Sequence, residues 1–231
     1  MTIAIPYTIP PAALAQNIVQ ISVADLLTRI DHLMLDDQRK RWGVAERLLW
    51  INDAAREIVF RRPAARAITE RLALEEGTLQ QSSAGTAQVL SVVRNINANG
   101  TPGRAISITD RQQLDDADPD WHQATAARSL HFMVDERSPT MFHVYPPAIE
   151  GAIVELLVSK APPEVTSATG SIDLRAEFIN AIVNWALYRC HTKDSEFSQG
   201  AVAAQHYQAF TDAIGAPAQA AVANSANGNN T

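Results

Sequence analysis

The hydrophobic residues of this chain follow two different periods, and that change of period constrains the fold more than any other feature. Near both ends they recur every three or four residues, which is the spacing of one face of a helix. From residue 66 to residue 165 they form short β-prone runs that alternate with turn residues. The order therefore predicts two helices, a β-rich insert and two further helices.

The first two predicted helices are separated by a charged run. Ser22 and Asp25 have the S-x-x-D spacing of a capping box, so the first helix is predicted to begin at Ser22. The second helix is predicted from Trp42 to Arg62, and Pro63 ends it. The side chains predicted on the buried face of the first helix are Leu26, Ile30, Leu33 and Met34.

Six strands are predicted in the insert, and the loop 135–140 is predicted to join two of them as an antiparallel hairpin. His131 and His143 lie on these two strands and would face each other if they were directly paired. A metal site needs three or four ligands, so we expect no metal there. The predicted strands are Ile68–Leu74, Val89–Val93, Ala105–Ile108, Leu130–Val134, Met141–Tyr145 and Ile153–Val158. The turns and strand ends between them are predicted at Gly77, Gly85, Gly100, Gly103 and the Pro146-Pro147 pair.

Two more helices are predicted near the C-terminus, at 173–192 and 196–214. Cys190, the single cysteine, lies on the apolar stripe of the first of these, so we expect a buried structural thiol and no intramolecular disulfide. Gly215 followed by Pro217 is a helix-stop signal. The residues after it have no apolar period and are expected to form a flexible tail.

These elements predict an α+β fold, a four-helix bundle with an inserted β-rich subdomain and flexible termini. Prolines at positions 6, 10 and 11 oppose a helix at the start of the chain, which favours an extended arm. The predicted divisions are an arm at 1–21, a bundle from 22–65 and 171–215, an insert at 66–165 and a tail at 216–231.

Charge and composition argue against several classes of protein. The formal net charge is −6 and the pI is about 5.5, whereas a protein that binds free DNA usually carries a basic surface. No run of apolar residues is long enough for a membrane span. The first 28 residues contain no Lys or Arg, so no signal peptide is expected.

Motifs for catalysis or cofactor binding are missing from the sequence. We find no glycine-rich phosphate loop, no H-E-x-x-H and no G-x-S-x-G. Asp116, Asp118 and Asp120 have the spacing of a calcium loop, but Trp121 and Ala127 occupy the positions that need glycine and glutamate. His122 lies near these aspartates without a nucleophile beside it. The sequence therefore favours a protein that is not an enzyme and needs no cofactor.

Several short segments between residues 22 and 214 carry a resemblance to a known family. Their shared order and spacing are more specific than any one segment alone. These segments are Arg41-Trp42, Glu46–Ala54, Leu74–Gln80, Val92–Asn95, Asp110–Asp115, Asp118–Trp121, Phe132–Asp135, Arg137–Pro139, Phe142–Pro147 and Tyr188–Asp194. In this arrangement the chain resembles the head-to-tail adaptor, or connector, proteins of short-tailed and related tailed phages.

The resemblance implies a structural protein of the virion, at the interface of head and tail, assembled in the host cytoplasm. Adaptors of this kind form a twelve-fold ring of identical subunits beneath the portal protein, contact tail or nozzle proteins, and continue the DNA channel. DNA would pass through the lumen without specific binding, and no membrane would be involved. A terminal segment commonly grips the portal, so 216–231 is the first candidate here and 1–20 the second.

Six residues are predicted, within this resemblance, to contact the portal or a neighbouring subunit. They are Asp115, Trp121, Tyr145, Phe210, Ile214 and Pro217. For Trp121 a structural role is the other interpretation, in which the ring packs under the sheet while the aspartates cap the turn. For Tyr145 the other interpretation is simply the end of a strand.

Two other functions stay open at this stage. One is a peptidoglycan hydrolase carried at the phage vertex, which would need a convergent set of catalytic residues. The other is a monomeric cytoplasmic binding module, which would never associate with a portal.

Overall fold

The computed structural model describes residues 20–123, 125–135, 137–193 and 199–226, with side chains described as far as Gly215. The helices are α1 (Val23–Met34), α2 (Val44–Arg61), α3 (Arg111–Ala117), α4 (Ile179–Thr192) and α5 (Gly200–Ala226). The strands are β1 (Ile21–Ser22), β2 (Ala67–Ala73), β3 (Gly77–Gln81), β4 (Thr86–Ile96), β5 (Pro102–Ala105), β6 (Ser107–Ile108), β7 (His131–Val134), β8 (Met141–Ala148), β9 (Ile153–Lys160) and β10 (Ser171–Ile172). Short 3₁₀ helices at Pro63–Arg66 and Ala176–Phe178 follow α2 and precede α4.

Eight of these strands form two four-stranded sheets. The first has the order β2-β9-β4-β5 and the second β3-β8-β7-β6, and every pair is antiparallel except β6 with β7. Alternate side chains of each sheet point towards the other and form one apolar cluster. The remaining two strands, β1 and β10, pair with each other in a separate ribbon.

The helices have a second apolar cluster of their own, and its arrangement corrects the predicted four-helix bundle. Helix α4 lies at the centre, and α1, α2 and α5 pack against it. Residues outside the α-helices complete the cluster, among them Ile21, Ala65, Val165, Ile172 and Leu174. Across the residues that the structure describes there are five α-helices, two four-stranded sheets and the β1–β10 ribbon, and no four-helix bundle. An apolar stripe shows that a helix buries one face, but it does not show which element covers that face.

Helix α1 starts where predicted, but one of the four residues predicted on its buried face is exposed. Ser22 is the N-cap, and its Oγ accepts a hydrogen bond of 3.3 Å from the amide of Asp25. Leu26, Ile30 and Met34 are buried, whereas Leu33 is 61% exposed.

The predicted helix stop at Gly215 is wrong, because α5 continues to Ala226. Pro217 has no amide hydrogen and removes one main-chain hydrogen bond, but the residues around it are mostly alanine, the strongest helix former. The helix therefore takes in 216–226 of the predicted tail, whose flexibility stays a prediction. Residues 227–231 and the predicted arm up to residue 19 lie outside the described part of the chain.

Five of the six predicted strands are found with small shifts: Ile68–Leu74 as β2, Val89–Val93 within β4, and the last three as β7, β8 and β9. Strand β3 was not predicted, and the other errors also fall at turn residues. Gly77 begins β3 with φ of +111° where a turn was predicted. The run predicted from Ala105 to Ile108 is interrupted at Ile106. The Pro146-Pro147 pair lies inside β8, after a cis peptide bond at Tyr145-Pro146.

A buried ionic cluster holds the α1–α2 connection. The guanidinium of Arg47 on α2 is completely buried, donates to a carboxylate oxygen of Asp31 on α1, and donates over 2.6 Å to Asp36. Arg39 donates to the other carboxylate oxygen of Asp31 over 2.8 Å. The second carboxylate, that of Asp36, also accepts hydrogen bonds from the three backbone amides of residues 40–42. The whole connection is therefore organised around two carboxylates and one buried cation.

Arg47→Ala is expected to lower the free energy of unfolding by about 3–5 kcal/mol, because it leaves the buried Asp36 without its cation and Asp31 with only the partly exposed Arg39. Chemical denaturation of the purified protein measures this. Arg56→Ala is the matched control on the same helix: its partners Asp53 and Glu164 are exposed, and its loss should cost less than about 1 kcal/mol. Equal effects of the two substitutions would contradict the central role of the Arg47 cluster.

Candidate assembly surfaces

The outer face of the second sheet carries an aromatic platform. His143 and Tyr145 point away from the core on β8, because the alternate residues Phe142 and Val144 are buried between the sheets. The ring of Trp121 meets both edge-on, with centroids 6.4 Å from His143 and 6.2 Å from Tyr145. Trp121 is buried, so the expected packing under the sheet is found on this outer face.

Two polar contacts hold the segment that carries Trp121. Its indole Nε1 donates to Asp115 Oδ1 over 2.7 Å, which ties the turn back to α3. His122 stacks on Trp121 at a centroid distance of 3.7 Å, and its Nδ1 lies 3.2 Å from the hydroxyl of Thr78 on β3. Asp115, Trp121 and Tyr145, three of the predicted contact residues, are therefore brought together at one surface.

Helix α3 gives this surface an acidic rim. Asp110 is its N-cap, and its Oδ1 accepts a hydrogen bond of 2.7 Å from the amide of Gln112. Asp116, Asp118 and Asp120 are exposed. Among the described residues no group of three or more His, Cys, Asp or Glu is placed to hold a metal ion.

The two hairpin histidines are not directly paired. Tyr145 lies opposite His131, and Met133 lies opposite His143, so the two histidines are diagonal neighbours on one face. Nδ1 of His131 is 2.8 Å from the hydroxyl of Ser107, and its ring stacks on Tyr145. Burial is the main cause that lowers the pKa of His143. Both rings therefore belong to the aromatic platform.

The other predicted contact residues lie on α5. Phe210 and Ile214 are buried in the helical cluster, where the ring of Phe210 lies 4.8 Å from that of Trp185. Pro217 lies within α5, at a position whose side chain is not described. A contact of these three residues with another chain stays a prediction.

Two features were not predicted from the sequence: an exposed hydrogen bond between α2 and α5, and a set of exposed apolar side chains. Arg61 Nη2 donates to the Tyr207 hydroxyl over 2.8 Å, which joins α2 to α5. Leu35, in the left-handed backbone region after α1, is 86% exposed, and Phe60 near the end of α2 is 80% exposed. The other exposed large apolar side chains include Leu33, Leu49, Leu79, Ile108, Val134 and Met141. Exposed apolar side chains mark a surface that another chain covers only where they form a contiguous patch, and no amphipathic period singles these out.

The groups that most resemble catalytic ones have structural surroundings. Ser83 Oγ donates to Glu70 over 2.6 Å and accepts from Lys160 Nζ over 2.8 Å, while Lys160 also pairs with Glu70 at 2.6 Å. Both Ser83 and Lys160 are therefore bound by the carboxylate of Glu70 in one part-buried polar network. Burial raises the pKa of the Cys190 thiol to about 12, as expected for a structural cysteine.

No helix in the described part of the chain is both long enough and apolar enough to cross a membrane.

The comparison with protein families matches residues 21–230 to the family described as SU10 adaptor protein. The match begins at β1 and includes both sheets and all five helices. The chain belongs to the SU10 adaptor family, and the resemblance to phage adaptors found in its sequence is confirmed. It is therefore a phage adaptor protein, of a family that is structural rather than catalytic. None of the curated proteins compared with the chain matches it.

Asp115→Ala is expected to weaken the attachment of the segment that carries Trp121, because it removes the hydrogen-bond acceptor for Trp121 Nε1. The helices should stay folded. The side chain is partly exposed, so the effect is small: about 1 kcal/mol, or a roughly fivefold faster hydrogen exchange at the amides of α3. Asp116→Ala, which removes the next carboxylate without touching Trp121, is the control. Identical exchange in both variants would mean that this hydrogen bond does not hold the segment.

Proposed function

We propose that this adaptor forms a ring of twelve subunits that docks under the portal, links it to tail or nozzle proteins and continues the DNA channel. The observation that carries the proposal is the family match over residues 21–230, which takes in nearly the whole chain. The virion, at the interface of head and tail, is then the place where the protein acts, after assembly in the host cytoplasm.

The subunit offers chemically different surfaces, as a closed ring requires. A cyclic ring is built from a heterologous interface, in which one patch of each subunit meets a different patch of its neighbour. One candidate patch is the aromatic surface around Trp121 on the second sheet. Others are the exposed apolar side chains of the helical part, Leu35 after α1 and Phe60 at the far end of α2. These surfaces support assembly into rings and contacts with the portal.

The C-terminal segment is the first candidate for the portal contact. Residues 213–231 contain no Asp, Glu, Lys or Arg, and 216–226 extend α5 beyond Ile214, which lies in the helical cluster. An uncharged helix that continues past its own core can bury apolar surface against a partner at little desolvation cost. The N-terminal segment 1–20 is the second candidate.

A chain truncated after Gly215 is expected to keep its fold and to lose most of its binding to the portal. The purified chain and the truncated chain are each mixed with intact cognate portal rings and imaged by cryo-electron microscopy. A ring of density under the portal with the full chain, and bare portals with the truncated one, is the expected result. Bare portals with the full chain would overturn the adaptor ring. Docking of both chains would move the contact away from 216–231. Suspensions of peptidoglycan should keep their turbidity in the presence of the full chain, whereas clearing would favour a hydrolase.

The acidic rim of α3 is proposed to face the DNA path. Carboxylates repel phosphates, so a wall of this charge would let DNA slide without being held. Replacing Asp116, Asp118 and Asp120 together by lysine should slow DNA ejection in a manner that higher salt relieves, while replacement by asparagine should not. Ejection rates measured on assembled particles test this. Unchanged rates with the three lysines would place the rim away from the DNA.

A further inference from the structure

We propose that neighbouring subunits of the ring contact each other through two oppositely charged edges of the first sheet. Glu75 and Glu76 of one subunit meet Arg104 and Arg128 of the next. The inference rests on the proposed ring, and the partner that it names for each edge is a second copy of this chain.

The first observation is a pair of exposed carboxylates at one edge of the sheet. β2 is an end strand of the first sheet, and Glu75 and Glu76 follow it in the turn that leads to β3. The buried amide of Gln80 holds this turn: its Oε1 accepts from the amide of Glu75 over 2.9 Å, and its Nε2 donates to the carbonyl of Glu75 over 2.9 Å. Neither carboxylate forms a hydrogen bond or an ion pair with the described residues. This edge therefore presents two fixed negative charges that are not neutralised.

The second observation is a pair of exposed guanidinium groups at the opposite edge. β5 is the other end strand of the first sheet, and Arg104 lies on it. The buried amide of Asn95 donates to the carbonyls of Arg104 and Ser129, over 3.0 and 2.8 Å, so the exposed Arg128 lies beside Arg104. Within the described part of the chain the side chain of Arg104 has no polar partner, and that of Arg128 has only a long hydrogen bond of 3.5 Å to Asn97. Both positive charges are therefore available to another chain.

The two charged pairs lie at the same end of the sheet. One row of paired residues crosses all four strands there: Ala73, Ile153, Ile96 and Pro102. Glu75 follows this row by two residues, and Arg128 contacts Asn97, which follows it by one. Three strand spacings, roughly 14 Å, separate β2 from β5. The two pairs are therefore similar in height and lie on opposite sides, where different neighbours would stand.

Other charged groups near these edges do not neutralise them. Arg71 on β2 donates to a backbone carbonyl of the β4–β5 hairpin over 3.2 Å, not to a carboxylate. Glu150, in the turn between β8 and β9, lines an open groove with Arg128 and forms no ion pair with it. The amide of Gly151 donates to the carbonyl of Leu74 over 2.9 Å, so Glu150 adds a third negative charge near the two glutamates.

Opposite charges on opposite edges select a head-to-tail arrangement of subunits. A closed ring needs an interface in which one patch of each subunit meets a different patch of the next. Two identical edges placed against each other would bring like charges together, which opposes a two-fold symmetric dimer. Exposed ion pairs each contribute little stability, so the charges act mainly on which edges meet.

The test reverses each charged pair separately. One variant carries Glu75→Lys with Glu76→Lys, and the other carries Arg104→Glu with Arg128→Glu. Mixed alone with intact cognate portal rings, each variant should leave the portals bare in cryo-electron microscopy, because like charges then meet at every contact. An equal mixture of the two variants should form rings again, because each subunit then fits between two of the other kind. Recovery in the mixture also requires that both variants are folded.

A matched control and the unchanged chain complete the test. Arg29→Glu with Lys40→Glu reverses two exposed charges of the helical part and should form rings like the unchanged chain. Full rings from either edge variant alone, or bare portals with the control, would overturn the proposed contact while the ring itself stands. In the ring of the unchanged chain, Glu75 and Glu76 should lie within ion-pair distance of the neighbour's two arginines, and a wide separation would also overturn the contact. Bare portals with the unchanged chain would overturn the ring and this contact with it.

Discussion

The pairing of Arg47 with two carboxylates is the interaction on which the helical part depends. A fully buried guanidinium is tolerated only where its charge is matched, and Asp31 and Asp36 match it from the end of α1 and from the connection that follows. The backbone of that connection folds around Asp36, which accepts three amide hydrogens. Leu35 and Arg39 adopt left-handed backbone angles there, a conformation that few residues with side chains accept. The ionic cluster thus fixes how α1 leads into α2, and it presents Leu35 to the outside.

The sheets have an apolar core of their own and place a different kind of surface on the outside. Hydrophobic residues fill the space between them, whereas the outer face of the second sheet is covered by the segment that holds Trp121. That cover is attached by the buried ring of Trp121, by polar contacts at Asp115 and Thr78, and further along the chain by backbone hydrogen bonds between Ala126 and the end of β8. The sandwich thus presents a covered aromatic surface on one outer face.

Local signals in the sequence predicted many of the helices and strands, and they failed where distant parts of the chain pack together. The cap at Ser22 and the hairpin of β7 with β8 depend on neighbouring residues, and both were predicted. The central position of α4 depends on which stripes meet in space, so the predicted bundle was wrong. The stop at Gly215 was also wrong, since the alanines beyond it favour a helix. Arg47 could have been noticed, because it shares the face of Val44 and Ile51 and follows two closely spaced aspartates. The predicted contacts of Phe210 and Ile214 stay predictions.

The ribbon of β1 with β10 joins two parts of the polypeptide that are far apart in sequence, and it has a consequence for biosynthesis. Ile21 pairs with Ile172, and the main packing partner of the first helices, α4, begins 145 residues after the end of α1 and 118 residues after the end of α2. On the ribosome the sheets can close as soon as β9 has emerged, whereas α1 and α2 must wait with their apolar faces uncovered. The timing of translation therefore sets the order of maturation: the sandwich first, the helical part last, and a chain terminated before α4 would expose the faces that make it aggregate.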